Sequence, residues 1–251
     1  MTREALPPPF QLIAYETIGS TNDELKRLAH EGAPEGLVVS AERQTAGRGR
    51  RGRNWVSPPG NLYASILLRP DCRPATAAQL GFVAALGAAD ALSELAPRVD
   101  LRCKWPNDLL ANGKKISGIL LETEMTTGDQ PDFVVLGIGV NLATAPTDTP
   151  YPATSLAAEG APDIAPQAML AAFVWHFAVW LDRWRQEGFA PIRKAWLAVA
   201  MGLGEPIQVR LERDTLDGRF LDLDGDGALM LGTPDGSRRI AAGEIFPAKA
   251  A

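Results

Sequence analysis

Gly47-Arg48-Gly49-Arg50-Arg51-Gly52-Arg53-Asn54-Trp55 packs three glycines and four arginines into seven residues and closes them with a tryptophan. Glycine lets a backbone approach a ligand with no Cβ in the way. Arginine brings a planar, permanently charged fork that matches carboxylate and phosphate. Three readings compete: a dinucleotide-binding turn, a nucleic-acid patch, and a lid over a small phosphorylated intermediate. Gly47-x-Gly49-x-x-Gly52 spells the dinucleotide pattern, but that turn must open a helix, whose N-terminus holds the pyrophosphate. Here Trp55, Pro58 and Pro59 follow, and then the alternating strand Leu62–Leu68. A loop between two strands argues against a doubly wound sheet.

Working outward, residues 11–17 alternate as a strand, Ser20-Thr21-Asn22 can cap a helix ending near His30, and 37–41 is a strand leading into the arginine loop. Downstream, 76–95 carries a helical period and 101–105 is a short strand stopped by Pro106. Asn112-Gly113 is a hairpin-type turn, and 115–124 and Phe133–Val140 are strands joined by a loop at 126–130, which makes a meander. Residues 143–165 read as loop. Residues 168–184 form a helix with the stripe Leu170, Phe173, Val174, Phe177 and Leu181, and Trp175, Trp180 and Trp184 are read as core; 192–201 is a further helix. After Gly204 short alternating runs split by Gly and Asp predict a small β-barrel or sandwich. The organisation is a proline-bearing flexible tail at 1–9, a main domain at 10–203 and a β module at 204–251.

A net charge of −5 makes the arginine cluster a local feature, and with no stacking aromatic beyond Trp55 it argues against nucleic acid. Cys72 and Cys103 have no CxxC spacing and read as free thiols. His30 and His176 are the only histidines, so neither a His/Cys metal cluster nor a Ser-His-Asp triad has a basis. The absence of an apolar leader or membrane-length run predicts a cytoplasmic protein. Asp222-x-Asp224-x-Asp226-Gly227 imitates a calcium loop, but the position that needs a bidentate Glu is Thr233, so a turn between strands is expected.

Lys104-Trp105-Pro106-Asn107-Asp108 presents a cation and two oxygen ligands within one turn. That suits a nucleoside triphosphate with Mg²⁺; it also fits an ordinary turn with solvated charges. Lys115 opens an apolar strand in which Gly118 removes a side chain, and Gly137-Ile138-Gly139-Val140-Asn141 thins a second strand.

Taken in order, Ser20-Thr21-Asn22, Gln44, the loop 47–55, KWPND at 104–108, Lys115 with Gly118-Ile119-Leu120, and GIGVN at 137–141 resemble the biotin–protein ligases. Gly227-Ala228-Leu229 and Gly243-Glu244-Ile245 carry the likeness into the C-terminal module. The resemblance implies an α+β fold: a mixed or antiparallel sheet flanked by helices, with a class II synthetase-like catalytic core and a small SH3-like C-terminal barrel. It implies that biotin and ATP are substrates with Mg²⁺. Biotin carboxylate attacks the α-phosphate, giving biotinyl-5′-AMP, and a lysine of a biotin carboxyl carrier protein then takes the biotin. Two anions must meet, so cations are needed and no enzyme nucleophile is.

Carried over residue by residue, Ser20, Thr21, Asn22 and Gln44 would hold the biotin head group beside Gly118. Arg48, Gly49 and Arg50 would close over biotin and adenylate, with Arg51, Arg53, Asn107 and Asn141 near the nucleotide and Trp55 over the adenine. Lys115 would hold the biotin carboxylate, Lys104 would face the α-phosphate, and Asp108 would bind Mg²⁺ or orient the acceptor lysine. Ordering ten or so loop residues costs on the order of 10 kcal/mol, and four guanidiniums repel, so the loop is expected to order only around anions. Some family members carry an N-terminal DNA-binding domain, and the short lead before residue 10 predicts an enzyme without repressor function. Family members also pair through sheet edges, so a homodimer is an expectation. The rivals are a lipoate ligase or octanoyltransferase on the same fold, and a nucleic-acid-binding module.

Overall fold

The strands on either side of the arginine loop are neighbours. In the computed structural model, which describes residues 5–125, 130–149 and 151–248, β2 (Leu37–Gln44) pairs antiparallel with β3 (Leu62–Leu68). Around them stand β1 (Gln11–Ile18), β4 (Leu101–Lys104), β5 (Asp108–Ala111), β6 (Lys114–Glu124) and β7 (Phe133–Val140). The seven strands run in the order β1-β2-β3-β7-β6-β5-β4, and only β1 and β2 are parallel. The crossover between those two is α1 (Thr21–His30), capped by the Ser20 hydroxyl.

Helix α1 buries Leu25 and Ala29 on one face of the sheet against Val39, Leu67 and Val135. The other face carries α3 (Leu80–Leu95), α4 (Pro166–Glu187) and α5 (Phe189–Ala198) over a continuous core. Strand β3 has helices on both sides, so all seven of its residues are buried, as a central strand requires. The α+β class holds, with a mixed sheet.

Several local expectations are corrected. The helix expected at 76–95 is two pieces, a short α2 (Pro74–Ala77) and α3. Together they are long and apolar enough to cross a bilayer, contrary to the sequence reading, but most of that stretch is buried inside the fold. KWPND is not an open turn: it is the hairpin between β4 and β5, with Lys104 paired to Asp108. Four residues were too few to register as a strand, yet burial of Leu109, Leu110 and Ala111 holds β5 in the sheet. Asn112-Gly113 then turns β5 into β6 with φ of 48° and 78°. Of the loop expected at 126–130, residues 126–129 lie outside the described residues. Only Trp184 of the three α4 tryptophans is buried; the Trp180 indole reaches Asp90 and Trp175 lies at the surface. In the expected tail, Leu6 packs against the core and the Trp175 indole donates to the Ala5 carbonyl.

The C-terminal module comprises β8 (Pro206–Arg210), β9 (Thr215–Leu223), β10 (Leu229–Thr233), β11 (Gly236–Ile240) and β12 (Glu244–Pro247). It is an antiparallel sheet in the order β11-β10-β9-β8-β12, and among the described residues no ladder joins its two edges. Its aspartates hold no calcium-type loop: Arg239 takes Asp224 and Asp226, and Arg193 takes Asp222.

Candidate active site

A cavity of about 510 Å³ opens between the N-terminus of α1, the glycine-bearing stretches of β6 and β7, the arginine loop and the start of β12. Every residue singled out from the sequence lines it except Lys104: Ser20, Thr21, Asn22, Gln44, Arg48, Gly49, Arg50, Arg51, Arg53, Trp55, Asn107, Asp108, Lys115, Gly118 and Asn141.

One end is polar and uncharged. Gln44 Oε1 accepts from Thr21 N at 2.9 Å and from Thr21 Oγ1 at 3.1 Å, while Gln44 Nε2 donates to Ser57 Oγ at 3.1 Å. The hydroxyl of Ser65 on β3 donates to Asn22 Oδ1 at 2.5 Å, and Asn22 Nδ2 donates to Glu122 Oε2 at 2.6 Å. A donor on the oxygen and an acceptor on the nitrogen fix which way the amide points. Gly137 makes room for it, because a Cβ there would stand 2.3 Å from Asn22 Oδ1. Lys26 pairs with Glu122 at 2.7 Å. Burial alone would raise the Glu122 pKa; the bonds from Lys26 and Asn22 outweigh it and hold the carboxylate below its ordinary range.

Over the cavity lies the arginine loop, closed on itself by Gly49 N to Arg53 O at 2.7 Å and Trp55 N to Gly47 O at 3.0 Å. Three of its four guanidiniums have partners inside the chain, which offset the repulsion expected among them. Arg48 forks onto Asp23 at 2.5 and 2.6 Å, Arg50 donates to Asn107 Oδ1 at 3.1 Å, and Arg53 forks onto Glu244 at 3.3 and 2.8 Å. Trp55 lies on the floor, where a Cβ at Gly118 or Gly139 would come within 3.0 or 2.5 Å of its ring.

At the far end charges alternate. Lys115 Nζ stands 2.5 Å from Asp108 Oδ1, and Lys104 Nζ stands 3.3 Å from Asp108 Oδ2 and 3.6 Å from Glu244 Oε1. Lys104 is not on the cavity wall, contrary to its expected place at a phosphate. It is fully buried beneath Tyr151 and Phe246, 4.2 and 5.1 Å from their ring centres. That burial pushes its pKa down against the pull of Asp108 and Glu244. Asp108, expected to bind Mg²⁺, already has an ammonium beside each oxygen, and no group of three metal-ligating side chains occurs among the described residues. These residues do not fit a protein-held Mg²⁺. Asn141, buried at the end of β7, donates to the Thr154 carbonyl at 3.1 Å.

The profile of the Biotin/lipoate A/B protein ligase family matches residues 53–198, and that of the Biotin protein ligase C terminal domain matches 202–246. The chain belongs to this family. It is 44% identical to the biotin–[acetyl-CoA-carboxylase] ligase of Paracoccus denitrificans over 90% of this chain and 96% of that one. It is 34% identical to the bifunctional ligase/repressor BirA of Bacillus subtilis (strain 168) over 93% of this chain and 73% of that one. The solved Aquifex aeolicus biotin protein ligase in complex with biotin and ATP superposes with a TM-score of 0.82 at 29% identity, covering 94% and 97% of the two chains.

Against this ligase family the sequence reading passed over four side chains that build the site. Ser65 is the one serine in a strand that is otherwise aliphatic apart from Tyr63, a signal that could have been read. Glu122 sits four residues past Gly118, and Asp23 immediately follows the Ser-Thr-Asn cap. Glu244 lay in a motif noted for its likeness but given no role.

Proposed function

We propose that this chain is a biotin–protein ligase. It activates biotin with ATP to biotinyl-5′-AMP, releases pyrophosphate, and passes biotin to a lysine of a biotin carboxyl carrier protein. The observation that carries the reading is a single cavity with an uncharged hydrogen-bonding end at Thr21, Asn22 and Gln44 and a cationic end at Lys115 and Arg50. A ureido ring buried with its polar atoms unpaired costs about 1–3 kcal/mol per group, and the first end supplies both donors and acceptors. The second lowers the cost of bringing a carboxylate to a phosphate.

In this reading Ser20, Thr21, Asn22 and Gln44 hold the head group, and Gly118 and Gly139 seat the Trp55 indole as the floor on which the ring system rests. Lys115 holds the biotin carboxylate in line with the α-phosphate. Arg48, Gly49 and Arg50 cover the intermediate, and Arg51, Arg53, Asn107 and Asn141 border the nucleotide. Asp108 orients Lys115 and, on this reading, the acceptor lysine; Lys104 acts only through Asp108. Mg²⁺ arriving with ATP would be held by phosphate oxygens and water, as such ions commonly are. ATP as a substrate and two free thiols fit a cytoplasmic setting.

The test is incubation with MgATP and either biotin or lipoate, measuring pyrophosphate, followed by transfer of label to a carrier-protein lysine. Release with biotin alone, then lysine labelling, is the expected result. Release with lipoate alone would favour the lipoate-ligase rival. None with either acid would overturn the reading.

A further inference from the structure

Glu244 opens β12 in the C-terminal module, yet its carboxylate stands on the wall of the cavity. Two groups from the catalytic domain converge on it. Arg53 of the loop forks onto both oxygens at 3.3 and 2.8 Å, and Lys104 Nζ lies 3.6 Å from Oε1. Two residues further along the strand, and so on the same face, Phe246 covers the Lys104 ammonium at 5.1 Å. The C-terminal strand thus supplies a counter-ion and a ring face to a fully buried lysine that lacks any contact with the cavity. Read from the loop inward, the charges are Arg53 (+), Glu244 (−), Lys104 (+), Asp108 (−) and Lys115 (+), each beside the next.

We propose that Glu244 is a positioning residue: it latches the arginine loop onto the C-terminal module and, through Lys104 and Asp108, fixes the place of the Lys115 ammonium. The proposal rests on the ligase reading above and adds a role for the C-terminal module within it. Glu244 touches no reacting atom. Its effect is on how long the loop stays down and on where Lys115 points. Removing the carboxylate leaves Arg53 without its fork and leaves Lys104 with Asp108 as its counter-ion. A buried ammonium short of one anion draws Asp108 toward itself and away from Lys115, because a buried charge is costly unless it is paired.

Two variants separate the two effects. Arg53→Gln breaks the latch and leaves Lys104 paired; Glu244→Gln breaks both. The substitutions are read in two assays: release of preformed labelled biotinyl-AMP from the enzyme in a chase, and the single-turnover rate of pyrophosphate formation. Both variants should release the intermediate faster by the same factor, about three- to tenfold for a partly exposed charged pair. The double variant should release it no faster than either alone. At saturating ATP, Glu244→Gln should slow pyrophosphate formation about tenfold further than Arg53→Gln does, with KM for biotin nearly unchanged.

Release at the unsubstituted rate in both variants, or independent factors that multiply in the double variant, would overturn the latch. Equal pyrophosphate rates in the two variants would overturn the link to Lys115. If Glu244→Gln fails to fold, Arg53→Gln still tests the latch, and Phe246→Leu, which uncovers Lys104 while keeping every charge, tests the link by the same slowing. Pyrophosphate formation by the unsubstituted protein is measured first, so failure of the ligase reading is seen apart from failure of this one.

Discussion

Lys115 and Gly139 show how much a single side chain, or its absence, contributes to this site. Lys115 is a lysine on the cavity wall, held by the Asp108 carboxylate at 2.5 Å. On the proposed reading, Lys115→Ala removes the charge that lets biotin carboxylate approach phosphate. Loss of one preorganised electrostatic partner costs about 10²–10³-fold in rate, so single-turnover pyrophosphate formation should fall by that factor; normal release would sink the assigned role. Gly139 works by exclusion. A Cβ there would stand 2.5 Å from Trp55 Cε2, and since Cβ is fixed to a strand backbone, the indole must leave. Gly139→Ala should raise KM for biotin more than it lowers kcat, with about 1–3 kcal/mol lost in denaturant unfolding from overpacking. The glycines and Lys115 were legible in the sequence because each breaks an apolar strand pattern. The partners of the arginines were not: Asp23 and Glu244 lie 25 and 191 residues from Arg48 and Arg53, and no local periodicity reports such pairings.

Among the elements, the β5–β6 hairpin decides where Lys115 stands, and an outlying carboxylate holds that hairpin. Glu159 accepts from Asn112 Nδ2 at 2.6 Å, Lys114 Nζ at 3.0 Å and Thr154 Oγ1 at 2.5 Å. The backbone beside Thr154 is laid along the strand, with Lys115 N donating to Pro152 O at 2.7 Å and Thr154 N to Lys115 O at 2.8 Å. Glu159 therefore ties the turn to the segment that flanks Lys115. The bond from Thr154, then those from Asn112 and Lys114, lower its pKa from 4.5 to about 2. A carboxylate depressed in the fold stabilises fully above its unfolded value, and that contribution fades as pH falls from 4.5 to about 2. Glu159→Gln should therefore lower stability at pH 7 and flatten the fall in stability across that acid window, as denaturant melts at stepped pH would record. An unchanged acid limb would remove Glu159 from the account. The long elements were readable because their periods are sustained; β5 and the α2–α3 break were not, because four-residue pieces carry no period and are fixed by what they pack against.

For the whole molecule, the texture change at Gly204 marks a boundary in sequence that the core does not respect. Phe220, Leu229, Leu231 and Ile245 of the C-terminal module belong to the same buried cluster as Phe82, Trp105, Phe189 and Trp196. The Trp105 indole, next to the lysine of KWPND, donates to the Gly227 carbonyl at 3.1 Å. Gly227 in turn lies so close to Phe82 that a Cβ would come within 2.6 Å of its ring. Phe82 packs edge-on to Phe189 and Trp196 at 5.3 and 5.4 Å. Removing residues 204–251 would uncover these rings, at about 1.5–3 kcal/mol for each side chain returned to water, and leave the Trp105 N–H without its acceptor. A domain of this size has about 5–15 kcal/mol in total, so the loss is comparable with the whole. The full chain should then unfold in one calorimetric transition, and a chain ending at Leu203 should lose near-ultraviolet dichroism and bind a hydrophobic dye. Two separate transitions in the full chain, or a rigid soluble fragment 1–203, would mean that the modules stand alone and that the shared core contributes little to holding Lys104 and Asp108 in place.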